Sequence, residues 1–288
     1  MTARLLDGKA LAQSIRSRLK GEVTQFLQET AMQPGLAVIL VGDNPASQVY
    51  VRNKGKACVE AGMRSDQHVL PANITQEDLL NLVDRLNADP AIHGILVQLP
   101  LPPHIDPLTV QERVRPVKDV DGFHPLNVGY LSMGREGLVP CTPLGVMEIL
   151  KDAQVPLLGR QAVIVGRSNI VGKPLAQLLL REHATVTLCH SRTRELPAVC
   201  RGADILIAAT GQKRMVRGSW IKPGAAVIDV GISFEEQNGK VKQVGDVDTD
   251  AALEVAGCLS PSPGGPGPMT IAMLLRNTLL AARRQAGK

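Results

Sequence analysis

A lysine and a tyrosine one helical turn apart are the residues of this sequence best placed to do chemistry. From Asn44 to Gly62 the chain reads as one helix. Asn44 is suited to cap the first amides, Pro45 to the first helical position, and Gly62 to the left-handed residue past the end. At helical periodicity Ala46, Val49, Tyr50, Ala57, Cys58 and Ala61 gather on one stripe, with Asn53 and Lys54 inside it, while Arg52 and Lys56 face away. A lysine on a buried face is desolvated, which favours the neutral amine and suits it to acid–base work. The alternative is a side chain that snorkels its ammonium out along the helix edge.

Two further polar residues stand out elsewhere. Gln98 lies between Val97 and Leu99 in the apolar run His93 to Leu99, where its amide could hold the Lys54 amine or simply satisfy backbone groups. Asp119 and Asp121 lie in the run Lys118-Asp119-Val120-Asp121-Gly122. Either carboxylate could accept paired hydrogen bonds from a flat heterocycle, or form a turn before glycine. A separate constellation is Gly166-Arg167-Ser168-Asn169-Ile170-Val171-Gly172, which departs from G-x-G-x-x-G because Ser168 stands at the second glycine. A buried strand before it and a helix after it make it a dinucleotide-type turn, with the helix amino terminus turned to a phosphate. The next strand ends in His190-Ser191-Arg192-Thr193-Arg194, with no carboxylate before Glu195. An NAD site uses a carboxylate there, so this donor-rich end, with Arg167, favours the 2′-phosphate of NADP over NAD.

The elements that must position these residues form two successive α/β blocks. The first has a helix from Gly8 to Glu29, an apolar strand from Gly35 to Gly42 and the helix bearing Lys54. A strand near Gln67 to Leu70, a helix from Thr75 to Asn87 and the strand His93 to Leu99 follow. Pro100 to Pro107 and Val117 to Gly129 read as loops near the carboxyl end of that strand. The second block opens with a helix after Cys141-Thr142-Pro143. It continues through a strand from Gln161, the Gly166 turn, a helix from Pro174 to Glu182, and strands at Thr185–Cys189, Ala203–Ala209 and Ala225–Val230. A turn region, Pro261 to Pro268, precedes a last helix from Thr270 to Arg284, which is expected to return to the first block. Alternating strands and helices predict mostly parallel sheets.

Composition narrows the classes. Of 288 residues, 44% are hydrophobic but only 2% aromatic, so the core is built from aliphatic side chains, as in parallel sheets. Five cysteines are scattered without a C-x-x-C pair, which excludes a disulfide framework and a zinc pattern and points to a reducing, cytoplasmic setting. No apolar stretch is long enough to span a bilayer, and the start has no secretory apolar region. The charge of +5 is dispersed and stacking aromatics are scarce, which argues against nucleic acid.

Taken together, these motifs resemble the bifunctional methylenetetrahydrofolate dehydrogenase/methenyltetrahydrofolate cyclohydrolase family. The matching segments are Tyr50 to Cys58, Gly94 to Pro102, Lys118 to Phe123, Cys141 to Pro143, Gly166 to Gly172 and Pro263 to Thr270, and the resemblance extends over essentially the whole chain. The resemblance implies two α/β domains with the active site in the cleft between them. Residues 1–139, joined by helix 269–288, would form the folate-binding catalytic domain, and residues 140–268 a Rossmann-like NADP-binding domain. It implies Lys54, Gln98, Asp121 and Tyr50 as the catalytic set. It further implies Leu99, Pro100, Pro263, Gly264 and Gly267 as substrate contacts, and Gly166, Arg167, Ser168, Ser191 and Ile232 as cofactor contacts. The expected substrates are tetrahydrofolate derivatives, the cofactor NADP without a metal, and the assembly a homodimer. Pro266 departs from the family pattern, which commonly has a small aliphatic residue there, and puts the shape of that rim in question. The competing readings are a different NADP-dependent dehydrogenase, for which His124 and His190 are the available bases, and a non-enzymatic nucleotide-binding protein of the same fold.

Overall fold

The computed structural model describes residues 2–237 and 240–288. In chain order its first half contains β1 (Arg4–Leu5), α1 (Gly8–Thr30), β2 (Gly35–Val41), α2 (Pro45–Glu60), β3 (Arg64–Leu70), α3 (Gln76–Ala88) and β4 (Gly94–Val97). Helices α4 (Pro107–Arg113), α5 (Pro125–Ser132) and α6 (Cys141–Asp152) follow. Next come β5 (Gln161–Val165), α7 (Gly172–Arg181), β6 (Thr185–Cys189), α8 (Leu196–Arg201), β7 (Ile205–Ala208) and β8 (Ala226–Asp229). The chain closes with β9 (Ser233–Gln237), β10 (Lys240–Val244), α9 (Thr249–Val255), β11 (Cys258–Ser260) and α10 (Pro266–Gln285).

Two compact units result, one of Ser14–Cys141 with Ile271–Lys288, the other of Thr142–Thr270 with the opening residues through Gln13. In the first, a parallel sheet runs β3-β2-β4. All seven residues of β2 are buried, as expected of a central parallel strand covered on both faces. Ala37, Ile39 and Val41 meet Leu79, Val83 and Leu86 of α3 in one core. Thr75 caps α3, its hydroxyl accepting from the Asp78 amide at 3.0 Å. The stretch before Asp121 is no free loop: Ile95 donates to Lys118 O at 2.7 Å and bridges to Asp119, so it runs beside β4. Helices α4 and α5 also begin inside segments whose prolines read as loops, because Pro107 and Pro125 occupy first-turn positions where a missing amide costs nothing.

The second unit is a six-stranded parallel sheet in the order β1-β11-β8-β7-β5-β6. From β5 the chain moves one way to β6 and then returns to the other side for β7, which makes the carboxyl ends of β5 and β7 a topological switch point. Strand β1 joins this sheet through β11, so the opening residues belong with the second block. The antiparallel pair β9–β10 stands outside it.

Two glycines separate helix propensity from packing. A methyl on Gly35, the first residue of β2, would lie 2.1 Å from the Ala91 carbonyl oxygen, whereas one on Gly21 of α1 meets nothing within 4 Å. We expect Gly35→Ala to lower stability by about 1–3 kcal/mol and Gly21→Ala to raise it by roughly 0.5–1 kcal/mol. Urea unfolding of both variants checks this, and equal effects would contradict the packing assigned to β2.

Candidate active site

Lys54 is carried by α2, whose ends form as its sequence dictates. The Asn44 side chain accepts from the Ser47 amide at 3.1 Å, Pro45 is the first helical residue, and Gly62 follows the end at φ +82°. The stripe that α2 buries differs from the periodic expectation. Val51, Gly55, Ala57, Cys58 and Ala61 are buried, while Val49 and Asn53 are exposed and Tyr50 and Lys54 stand half-buried at its border. Gly55 accounts for the rotation. A Cβ there would lie 1.9 Å from the Gln67 side-chain nitrogen, so α2 settles onto β3 through its glycine. A glycine inside an otherwise well-formed helix was the signal for this contact.

From that border Lys54 Nζ donates to Gln98 Oε1 at 3.0 Å. Gln98 follows β4 and extends its pairing, its backbone amide donating to Ile39 O at 2.9 Å. Its Nε2 donates to Leu99 O at 2.7 Å, which leaves the amide oxygen to face Lys54. Leu99 is half-buried and Pro100, joined to it by a cis peptide bond, is exposed.

The two neighbouring aspartates are placed very differently. Asp119 is buried and its carboxylate accepts from the Phe123 amide at 3.2 Å, the His124 amide at 2.8 Å and Asn127 Nδ2 at 2.8 Å. Burial raises its pKa and those donors offset the rise. Asp121 accepts no hydrogen bond among the described residues. Burial pushes its carboxyl up to about 6, with the Lys54 charge pulling it down and Asp119 pushing it further up. Of the two carboxylates the sequence offered, Asp119 builds the loop and Asp121 takes no part in it. His124 also serves the scaffold, where its Nδ1 caps α5 by accepting from the Leu126 amide at 3.0 Å. That occupies one of the two bases a rival dehydrogenase would need.

The second unit carries the residues expected from the sequence to meet a cofactor. Gly166 follows β5 at φ +127°, and a Cβ on it would lie 2.1 Å from Ala209 O, so the turn tolerates no side chain. A Cβ on Gly172 would lie 2.1 Å from Gly166 O, which fixes why a glycine opens α7. Ser168 takes over as a local cap: its hydroxyl accepts from the amides of Val171 and Gly172 at 3.2 and 3.4 Å. The departure from the glycine pattern therefore tightens the turn. A cavity of about 250 Å³ at the carboxyl ends of β5, β6 and β7 is lined by Gly166, Arg167, Ser168 and Ser191, together with His190 and Thr210. No carboxylate among the described residues lines it, which fits a 2′-phosphate better than a free ribose hydroxyl. Arg192 and Arg194 are exposed and do not line it. His190 Nδ1 accepts from the Arg192 amide at 3.1 Å and so shapes this rim.

Ile232 is 45% exposed and follows a peptide held from both sides. Gly231 donates to Asp229 Oδ1 at 2.9 Å, and its carbonyl accepts from the Ser262 hydroxyl at 2.5 Å. Asp229 also accepts the amides of Asp246 and Val247, and Asp246 accepts those of Thr210 and Gly211. Burial raises Asp229 to about 6, with those amides lowering it and Asp246 adding to the rise. Sequence reading missed this aspartate pair. The signal was a charged residue closing an apolar strand two positions before Gly231.

In the Pro263 segment, Pro263 and Gly267 are exposed and Gly264 sits at φ +106°. The concern over Pro266 resolves: α10 begins there, earlier than the sequence suggested, and a first-position proline removes an amide that had no helical partner. Gly265 is pressed between Ser260 and Gly8, where a Cβ would come within 2.3 Å of the Ser260 hydroxyl. A larger cavity, about 360 Å³, lies at the amino ends of β1, β7 and β8. Two of its cations are occupied, since Lys222 pairs with Asp204 at 2.6 Å and Arg4 donates to Ala153 O.

The chain is similar to known proteins over both units. Residues 6–121 match the tetrahydrofolate dehydrogenase/cyclohydrolase catalytic domain, and residues 140–286 match the NAD(P)-binding domain of the same enzymes. Bifunctional protein FolD 2 of Paracoccus denitrificans is 59% identical, over 98% of this chain and 94% of that protein. The crystal structure of the bifunctional FolD enzyme of Campylobacter jejuni superposes with a TM-score of 0.94 at 51% identity, covering 98% of this chain and 99% of that one. The Trypanosoma brucei enzyme, solved with NADP and an inhibitor, gives 0.95 at 44% identity, covering 99% and 98%. With both domain matches in order and relatives aligned over nearly its full length, the chain belongs to the tetrahydrofolate dehydrogenase/cyclohydrolase family.

Proposed function

We propose that this chain oxidises 5,10-methylenetetrahydrofolate with NADP and hydrolyses the resulting methenyl cation to 10-formyltetrahydrofolate, with Lys54, Gln98, Asp121 and Tyr50 as the working residues. The observation that carries the assignment is the 3.0 Å bond from Lys54 to Gln98 Oε1 beside an Asp121 carboxylate that no donor of the described chain satisfies. Asp121 accepts the paired N–H groups of the pterin edge, a bidentate contact that a carboxylate makes well. Tyr50, one turn before Lys54 and half-buried, lays its ring on the aminobenzoate. Leu99 and Pro100, with Pro263, Gly264 and Gly267, complete the substrate contacts.

Bound NADP supplies the hydride acceptor. The cradle for its 2′-phosphate is Arg167, Ser168 and Ser191, with Gly166 admitting the pyrophosphate and Ile232 offering its backbone and exposed side chain. The oxidation needs no protein acid or base, so positioning is the protein's main contribution. The hydrolysis does need one. Water adds to the cationic carbon, Lys54 Nζ takes a proton from it and passes one to the ring nitrogen as the carbon–nitrogen bond opens, and one proton is released overall. Gln98 holds that nitrogen through its oxygen, because its own Nε2 is committed to Leu99.

The same reading makes the protein a cytoplasmic homodimer. All five cysteines are buried free thiols, and no helix among the described residues is long and apolar enough to cross a membrane. Among the described residues, strand β3 pairs only with β2 and leaves Val69 65% exposed on an unpaired edge, a surface suited to a second copy.

Three measurements test this function. Lys54→Met should slow methenyl hydrolysis about a hundredfold or more while leaving NADP affinity unchanged; an unaltered hydrolysis rate removes Lys54 from the chemistry. Asp121 is protonated below about 6 and ionised above it, so kcat/KM for the folate should fall as pH drops through that value. Asp121→Asn should raise KM and flatten that limb, and an identical pH profile in the variant contradicts the pterin contact. Arg167→Ala should weaken NADP about tenfold and NAD far less, as read by the two KM values; equal losses would separate Arg167 from the 2′-phosphate.

A further inference from the structure

Asn277 lies within α10, on a helix that supplies no side chain to the chemistry described above. It is 2% exposed, an unusual place for an amide unless every polar atom is committed. Its Nδ2 donates to Val120 O at 2.8 Å and to Val139 O at 2.8 Å, and lies 3.6 Å from Cys141 Sγ. Both amide protons are therefore committed to carbonyls of two separate chain segments. The Cys141 thiol, held protonated by burial, donates to the same Val120 carbonyl at 3.3 Å.

Val120 is the residue before Asp121, and its carbonyl belongs to the peptide plane that carries the Asp121 amide. The residues upstream are already anchored. Lys118 buries its ammonium on the carbonyls of Leu86 and Asp89, closing the end of α3, and Asp119 is saturated by three donors. Downstream, Gly122 at φ +71° lies so close to the Val139–Pro140 peptide that a Cβ would meet Pro140 N at 2.7 Å. The Gly122 amide closes the turn on Asp119 O at 3.1 Å, and within that turn the Val120–Asp121 plane, from which the Asp121 side chain departs, is held through the Val120 carbonyl. Asn277 grips that plane and ties it to the 139–141 segment.

We propose that Asn277 is a positioning residue that sets the Asp121 carboxylate for the pterin. The proposal rests on the assignment of Asp121 as the folate-binding carboxylate. An amide is the group that fits, since one nitrogen must serve two acceptors at once. Aspartate would have none to give, and leucine of similar size would leave Val139 O without a donor and Val120 O with only the thiol.

The test is a double-mutant cycle on the full-length enzyme, with Asn277→Leu, Asp121→Asn and their combination. Asn277→Leu should raise KM for methylenetetrahydrofolate about tenfold or more, with a smaller change in kcat and with NADP affinity within about twofold of the parent. In the Asp121→Asn background the same substitution should add almost nothing. Full additivity, or an unchanged KM in folded Asn277→Leu enzyme, overturns the proposal. If Asp121→Asn itself leaves KM unchanged, the assignment of Asp121 fails first, and the two failures are told apart. Should Asn277→Leu not fold, Asn277→Ser keeps one donor and should show an intermediate KM; a parental KM in that variant also counts against the proposal.

Discussion

The pairing of β2 with β4 is the constraint on which the Lys54 site depends. Their parallel register sets Ile39 against Val97, so the next amide in the chain, that of Gln98, is drawn onto Ile39 O at 2.9 Å. That bond brings a polar side chain to the carboxyl edge of a sheet whose central strand is wholly buried. Helix α2 departs from the same edge four residues after β2 ends, and its seat on β3 is fixed by the absence of a side chain at Gly55. A slip of one residue in β4 would turn Gln98 to the opposite face of the sheet and separate it from Lys54. The Lys54–Gln98 bond is thus a consequence of strand register, though 44 residues separate the pair.

In the cofactor-binding unit the corresponding constraint is backbone approach. Gly166 and Gly172 bring turn, strand and helix to within van der Waals contact without side chains between them. That closeness shapes the turn, and Ser168 tightens it by taking the Val171 and Gly172 amides on its hydroxyl and the Lys173 amide on its carbonyl. The clamp on Gly231 works by a different device, two buried aspartates that gather amides from three loops. Burying two carboxylates together is unfavourable, and the amides that bind them offset the penalty only in part. Burial still leaves Asp229 near 6, and Asp246 Oδ1 has no partner among the described residues.

How much of this was legible in the sequence follows from which signals are local. Caps, turn glycines and apolar runs are local, and Asn44, Thr75, Gly62 and the β2 strand formed where their residue types placed them. The buried stripe of α2 was misjudged at Val49 and Asn53, because periodicity weighs apolar character and cannot see that a glycine will pack on Gln67. Prolines misled in the other direction. Pro107, Pro125 and Pro266 read as loop residues, yet each opens a helix. Strands β1, β9, β10 and β11 were not foreseen. β1 and β11 are only two and three residues long, and such short strands exist by virtue of their neighbours in the sheet.

Choosing among the candidate side chains required a different kind of information, the fate of every buried donor and acceptor. Lys118, Asp119, His124 and Asn277 have the chemistry of active-site residues, and residue type alone would admit all of them. Each is accounted for by partners within the chain: Lys118 by two carbonyls, Asp119 by three donors, His124 by the amide it caps, Asn277 by two carbonyls. Asp121 differs in having none among the described residues, although burial disfavours its charge. Asp121 lies two residues from Asp119 in sequence, and hydrogen-bond accounting separates the residue that builds the loop from the one that does not.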